Sequence, residues 1–256
     1  MKKIQLLILL GLIISSCKND QKATLETTNF NLNWEFHLSQ ENKDVGTIAD
    51  DLYKTVNLPH DWAIEQPFDS TLVKDAHATG YLQSKGYGFY KKTFDKEANN
   101  NEVTYLLFDG VYNNSEVYIN GTKLGFHPYG YSPFFYDLTP HLNKNGKDNI
   151  ISVKIDHSRY ADSRWYTGAG IYRNVELITA NKLHIPVWGT FVTTPNVSKD
   201  KATVQLDINV ENDFSSTENI NIKTQIFNAE NDEVASETNP MKIDGNTSKV
   251  IQQTIQ

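Results

Sequence analysis

The chain of 256 residues holds one cysteine, Cys17, so no disulfide can close within a single molecule in any redox compartment. Basic residues are scattered rather than clustered, and the net charge is −7. Nucleic acid demands a basic face, so it is excluded as a partner. The apolar run from Ile4 to Ile14 is eleven residues long and is broken by Gln5 and Gly11. A bilayer-spanning helix needs about 20 apolar residues, which this run does not supply. Long amphipathic helical periodicity is absent, and so is any repeat of fixed period. No set of His, Cys and acidic residues has the spacing of a zinc site, so no metal and no cofactor are expected.

What is present is short alternation. Phe30, Leu32, Trp34, Phe36 and Leu38 alternate with polar residues, as do Ile151, Val153 and Ile155 with Ser152, Lys154 and Asp156. That period marks half-buried strands. Glu116 to Leu124 reads as a hairpin whose Asn120-Gly121 pair suits the two positive-φ positions of a type I′ turn. Val204, Leu206, Ile208 and Val210 alternate strictly, Ile220, Ile222 and Ile226 largely follow, and Val250-Ile251 adds a further apolar segment. The polar tract Glu211 to Glu218 reads as a turn between strands. With 39% hydrophobic and 11% aromatic residues the chain can bury a sizeable core. Many short strands with Gly, Pro and Asn turns predict an all-β sandwich or jelly roll.

Residues 1–17 have the form of an export leader. Lys2 and Lys3 supply the positive start, the apolar run follows, and Ile14-Ser15-Ser16-Cys17 resembles a bacterial lipobox. Lipidation of Cys17 is therefore expected, with residues 18–28 as a polar tether. The protein would be an exported lipoprotein, held at the membrane on the periplasmic or outer-membrane face by its acyl chains. Each buried methylene contributes about 0.8 kcal/mol to such anchoring.

One run concentrates binding chemistry: Asp162-Ser163-Arg164-Trp165-Tyr166-Thr167-Gly168-Ala169-Gly170-Ile171-Tyr172-Arg173. It follows a strand and cannot continue the alternation. A loop on a rigid strand is where proteins place binding groups, and a carboxylate, guanidinium groups and aromatic faces together suit a sugar. An Asp–Arg pair bonded only to each other and an aromatic core plug are the structural alternatives for the same residues.

The run resembles the signature near the end of the N-terminal sugar-binding domain of glycoside hydrolase family 2, the family of β-galactosidases, β-glucuronidases and β-mannosidases. Further segments resemble the family in the same order. They are Leu58-Pro59-His60-Asp61-Trp62, then Gly86 to Phe94, then Phe108-Asp109-Gly110-Val111-Tyr112 running on to Gly121. His127 to Phe134 and Trp188-Gly189-Thr190-Phe191-Val192-Thr193-Thr194-Pro195 complete the set. The resemblance implies a jelly-roll sandwich over 29–180 followed by an immunoglobulin-like sandwich over 181–256. An immunoglobulin-like sandwich takes about 100 residues, more than run from Leu183 to Gln256, so the second is expected to be incomplete.

By the same resemblance the signature loop helps line the pocket for a terminal β-linked sugar. Asp162 would accept from sugar hydroxyls, although some family β-galactosidases place the aspartate where this chain has Ser163. Arg164 would donate to a hydroxyl or hold Asp162. Trp165 would stack on the sugar or pack under the loop, packing being favoured. The family's two catalytic glutamates belong to a (β/α)8 barrel, which no segment here resembles. Glu65, Glu97, Glu102 and Glu116 read as solvated carboxylates, and no catalytic residue is expected in this chain. His60-Asp61-Trp62 reads as a hydrogen-bonding corner at a strand end, and Tyr129 to Tyr136 as core or interdomain packing. The expectation is the non-catalytic N-terminal portion of a retaining β-glycosidase, β-galactosides first. A stand-alone carbohydrate-binding lipoprotein is the alternative, as is a portion of a same-family β-glucuronidase or β-mannosidase.

Overall fold

A computed structural model describes residues 25–69, 71, 82, 84–97, 99–159 and 166–256. Within them the fold is all-β, with every strand pair antiparallel and helix limited to single 3-10 turns. The predicted leader and the lipidation site Cys17 lie outside the described residues.

The first unit is a two-layer sandwich. Its larger sheet has six strands, in the order β3 (Lys54–Val56), β2 (Trp34–Ser39), β4 (Gly86–Phe94), β9 (Asn149–His157), β6 (Ser115–Ile119), β7 (Thr122–His127). The smaller has four, in the order β1 (Glu26–Asn29), β10 (Val175–Asn181), β5 (Glu102–Phe108), β8 (Phe134–Asp137). From β4 to β10 the chain passes repeatedly between the two layers, the jelly-roll habit. The alternation explains the packing. Phe36, Val117, Ile119, Ile151, Val153 and Ile155 on one sheet meet Leu106, Phe108, Val175 and Leu177 on the other in a single core cluster. Side chains at even spacing share a face, so every second residue of these strands is buried.

Two expectations need correction. The run Phe30 to Leu38 is not one strand: β2 starts at Trp34, because Asn33 takes a left-handed φ of 57° and turns Leu32 out to 59% exposure. Phe30 is nonetheless buried, its ring edge-on to Trp34, whose indole N–H donates to the Phe30 carbonyl at 2.7 Å. The sandwich also begins inside the segment read as a tether. Glu26–Asn29 form β1, paired with Glu176 to Thr179, since the β10 edge offers free backbone groups whatever the side chains. The Asn120-Gly121 turn is as expected, with φ of 49° and 81°.

The second unit is built on β13 (Ala202–Asn212). One edge of β13 pairs with β16 (Thr247–Ile255), and the other is shared by β12 (Thr190–Val197) and the short β11 (Leu183–His184). The hairpin β14 (Glu218–Phe227) and β15 (Glu233–Ile243) lies against this sheet. Ile208 and Val210 meet Met241, Ile243, Ile220 and Ile222. A polar bridge crosses the layers too, where the Gln253 amide donates to the Ile222 carbonyl and Asn239 Oδ1. The two units touch along the outer face of β5 and β10. Val103, Tyr105, Ile178 and Ala180 form a small cluster there with Phe135 and Val187, and Phe135 meets Trp188 edge-on at 5.2 Å. The aromatic run Tyr129 to Tyr136 thus divides: Phe134 is core, stacked on Phe108, and Phe135 is interdomain contact, but Tyr129 is exposed, against the packing expected of the whole run.

Candidate functional site

Four of the motifs singled out in the sequence converge at one end of the sandwich. The loop carrying Leu58 to Glu65 lies along the return of the signature run, Tyr166 to Arg173. Backbone bonds join them: His60 N–H donates to the Ile171 carbonyl at 2.8 Å, and Trp62 N–H to the Ala169 carbonyl at 3.0 Å. On the other side Gly170 forms a two-way bridge with Tyr112, at 2.9 and 3.0 Å. The Tyr172 hydroxyl donates to the Gly130 carbonyl at 2.8 Å, and Arg173 points toward the carbonyls of Asp109 and Tyr131. The run is therefore pinned to the FDGVY segment and to the aromatic loop around Tyr131 as well.

Asp61 is the centre of this arrangement. Its Oδ1 accepts from the backbone N–H groups of Ala63 and Ala169, each at 3.0 Å. Its Oδ2 accepts from the Tyr166 hydroxyl. The bond to Ala63 caps the 3-10 turn Trp62–Glu65, so Asp61 is a helix-start residue and not the strand end expected. Burial, then the hydrogen bond to Asp61, raises the Tyr166 phenol far above its ordinary value and keeps it a donor.

His60 does not face solvent. It is 7% exposed, its Nδ1 lies 2.6 Å from the Tyr90 hydroxyl, and its Nε2 lies 3.3 Å from Glu65. Burial lowers the imidazole pKa, with Glu65 opposing, so the neutral ring is favoured. A consistent chain of donors runs from the Ile171 N–H to the Tyr90 hydroxyl, from that hydroxyl to His60 Nδ1, and from Nε2–H to Glu65. Lys54 closes it on Glu65. Glu65 is thus ion-paired rather than simply solvated, and so are Glu102 with Lys96 and Glu116 with Lys123. None of this resembles acid–base machinery: the chain of bonds ends in a paired carboxylate and contains no nucleophile. Its effect is to hold two loops in one position.

Asp162, Arg164 and Trp165 lie outside the described residues. The structure defines the residues on either side of them. On the outgoing side is Asp156, whose Oδ1 accepts from the Ser158 N–H at 3.0 Å and hydroxyl at 2.6 Å. Beside it a cleft is lined by Asn114, Glu116, Phe126, Lys154, Asp156 and Arg159. On the returning side Tyr166 (41% exposed) is presented to solvent, as is Tyr129 (60%) on the aromatic loop. Asp61 is a functional candidate that the run alone does not reveal, and the bond that Tyr166 of the run makes to it appears only in the fold. The spacing that points to Asp61 is its place two residues before Ala63, an N-cap relation; its reach to Ala169 has no local signature.

A family model described as "Glycosyl hydrolases family 2, sugar binding domain" matches residues 27–181. The β-galactosidase BoGH2A of Bacteroides ovatus is 40% identical over 212 residues, which is 82% of this chain and 25% of that protein. A putative β-glucuronidase of Formosa agariphila is 39% identical over 194 residues, 73% of this chain and 18% of that protein. Among solved structures, a glycosyl hydrolase family 2 member from Bacteroides cellulosilyticus superposes with a TM-score of 0.80 at 30% identity, covering 90% of this chain and 30% of that one. The chain thus spans about a quarter or less of the length of these curated relatives.

Proposed function

The chain belongs to glycoside hydrolase family 2, and on that premise we propose that it serves as the N-terminal sugar-binding portion of a retaining exo-β-glycosidase, β-galactosides being its first substrates. Its part is to wall the pocket. Asp162 accepts from the terminal sugar's hydroxyls, Arg164 donates to a hydroxyl or holds Asp162, and Trp165 packs beneath them. The cleaving pair of carboxylates, roughly 5–5.5 Å apart in retaining enzymes, is supplied from a barrel outside these 256 residues. The observation that supports this reading is the anchoring of the signature run at Asp61, His60, Tyr112 and Gly130. Such anchoring fixes one root of the loop to a rigid sandwich. The relatives also favour a second substrate, since the putative β-glucuronidase is nearly as similar as the β-galactosidase.

The purified chain alone is expected to leave aryl β-galactosides and β-glucuronides uncleaved; measurable turnover would overturn the non-catalytic role. A chimera in which residues 27–181 replace the matching segment of the Bacteroides ovatus enzyme is expected to regain turnover. Asp162→Ala in that chimera should lower kcat/KM by roughly 10- to 100-fold, the worth of one hydrogen bond to a charged acceptor. An unchanged kcat/KM would remove Asp162 from the pocket. Tight binding of galactosides by the isolated chain would instead favour a free-standing module.

We also propose export as a lipoprotein. Several acyl chains on Cys17 would hold the protein at a membrane, because stable anchoring takes more than one. Cys17→Ser is expected to move the protein from the membrane pellet to the soluble fraction, and unchanged retention in the pellet would refute the lipid anchor.

A further inference from the structure

At the seam between the two units, strand pairing gathers a small polar cluster that the sugar-binding role does not use. His184 sits on β11, directly opposite Glu211 on β13, and Asp213 follows β13, held by its backbone N–H to the Lys182 carbonyl at 2.9 Å. One ligand atom from each of the three side chains lies within 4.8 Å of the others. The Tyr105 hydroxyl of the first unit closes the fourth side, 3.3 Å from His184 Nε2.

The histidine is the informative member. It is only 4% exposed, yet its Nδ1 has no hydrogen-bond partner and its Nε2 has only the 3.3 Å contact to Tyr105 and a 3.9 Å approach to Glu211. Buried polar atoms are almost always satisfied, and Nε2, the nitrogen that approaches Glu211, has nothing nearer than the 3.3 Å contact to Tyr105, so it is open to a stronger partner. Neither carboxylate has a lysine or arginine within ion-pairing distance among the described residues; the histidine is the one basic group Glu211 approaches. Two carboxylates and an imidazole without a compensating cation make a donor set suited to a borderline metal ion.

We propose that His184, Glu211 and Asp213, all carried by the second unit, bind a divalent cation of the zinc class at its seam with the first. Donor atoms on a tetrahedral zinc with bonds of about 2.1 Å sit about 3.4 Å apart. The His184–Glu211 separation of 3.9 Å needs little adjustment. Asp213 is exposed and can close the remaining gap by side-chain rotation, and its exposure leaves a path for the ion and for a water as fourth ligand. The competing view is an imidazole bonded to Tyr105 alone, with the two carboxylates hydrated.

The test uses the full chain, free of any histidine tag and carrying Cys17→Ser so that no thiolate competes. After stripping with a chelator it is titrated with Zn2+ by calorimetry, and in parallel with Ca2+. The expected result is one Zn2+ per chain, with Ca2+ at least tenfold weaker because an imidazole nitrogen is a poor calcium ligand. Glu211→Gln with Asp213→Asn should weaken Zn2+ at least tenfold while the metal-free urea midpoint is preserved. These two positions are chosen because they are half-buried and exposed, whereas replacing His184 risks the seam itself. Co2+ should give visible d–d absorption in the parent chain and lose it in the double variant. Absence of Zn2+ binding, unchanged affinity in the double variant, or equal affinity for Ca2+ would each overturn the proposal.

Discussion

Asp61→Ala is expected to lower the unfolding free energy of the sandwich by about 3 kcal/mol, each hydrogen bond to a charged acceptor contributing about 1.5–3 kcal/mol and the three being shared and not additive. The carboxylate receives the N–H groups of Ala63 and Ala169 and the Tyr166 hydroxyl. Ala169 is fully buried, so its N–H loses its partner with no water to replace it. Asp61→Asn separates charge from geometry. Its amide oxygen can still accept from the two N–H groups and its NH2 can face the Tyr166 oxygen, so the cost should fall to about 1 kcal/mol, the scale of a neutral bond. Urea unfolding of both variants checks the order. In the chimera with the Bacteroides ovatus enzyme, Asp61→Ala should also lower kcat/KM by about 10²-fold, because a 1 Å misplacement of a positioning group costs about that much. A stability loss with kcat/KM unchanged would mean that the staple serves the sandwich and not the pocket.

Most of the strands are legible in the amino-acid sequence, and the reason is physical. A strand with one face buried writes its burial into every second residue, as at Ile151, Val153 and Ile155 or at Ile208 and Val210. Where that pattern misleads, a backbone choice overrides it. Leu32 continues the apolar alternation, but Asn33 tolerates a left-handed φ and the strand cannot extend through it. β1 shows the opposite failure, since Glu26–Asn29 are wholly exposed and pair through backbone alone, leaving no side-chain pattern to read. The site is legible as a set of motifs but not as an arrangement. Asp61 and Ala169 are 108 residues apart, and His60 and Tyr90 are joined through a core no local rule describes. His184, Glu211 and Asp213 escape for the same reason: their spacing matches no zinc pattern, and only the pairing of β11 with β13 brings them together.

Gly170→Ala is expected to be the most damaging single methyl in the signature, costing about 4 kcal/mol or more from backbone strain of about 1–3 and overpacking of about 1–3 kcal/mol together. Gly170 has φ of 129°, which L residues rarely adopt, and an added Cβ would stand 2.5 Å from the Tyr90 hydroxyl and 2.6 Å from the His60 carbonyl. Neither neighbour can yield. Tyr90 is 1% exposed, the His60 backbone is bonded to Ile171, and Gly170 itself is clamped to Tyr112 by two bonds. Gly168 is the control. Its φ of 75° is also left-handed, but the nearest atom to an added Cβ is Asp61 Oδ2 at 3.3 Å. Gly168→Ala should therefore cost only the left-handed penalty of about 1–2 kcal/mol. If Gly170→Ala proves too unstable to isolate, Tyr90→Phe with Gly170→Ala removes the closer of the two obstructing atoms while leaving the His60 carbonyl in place. Relative to Tyr90→Phe alone, the glycine substitution should then cost less than it does beside the intact tyrosine. Equal urea midpoints for the Gly168 and Gly170 variants would show that the contact with the His60–Tyr90 pair does not hold the signature run in place, and the staple would reduce to Asp61.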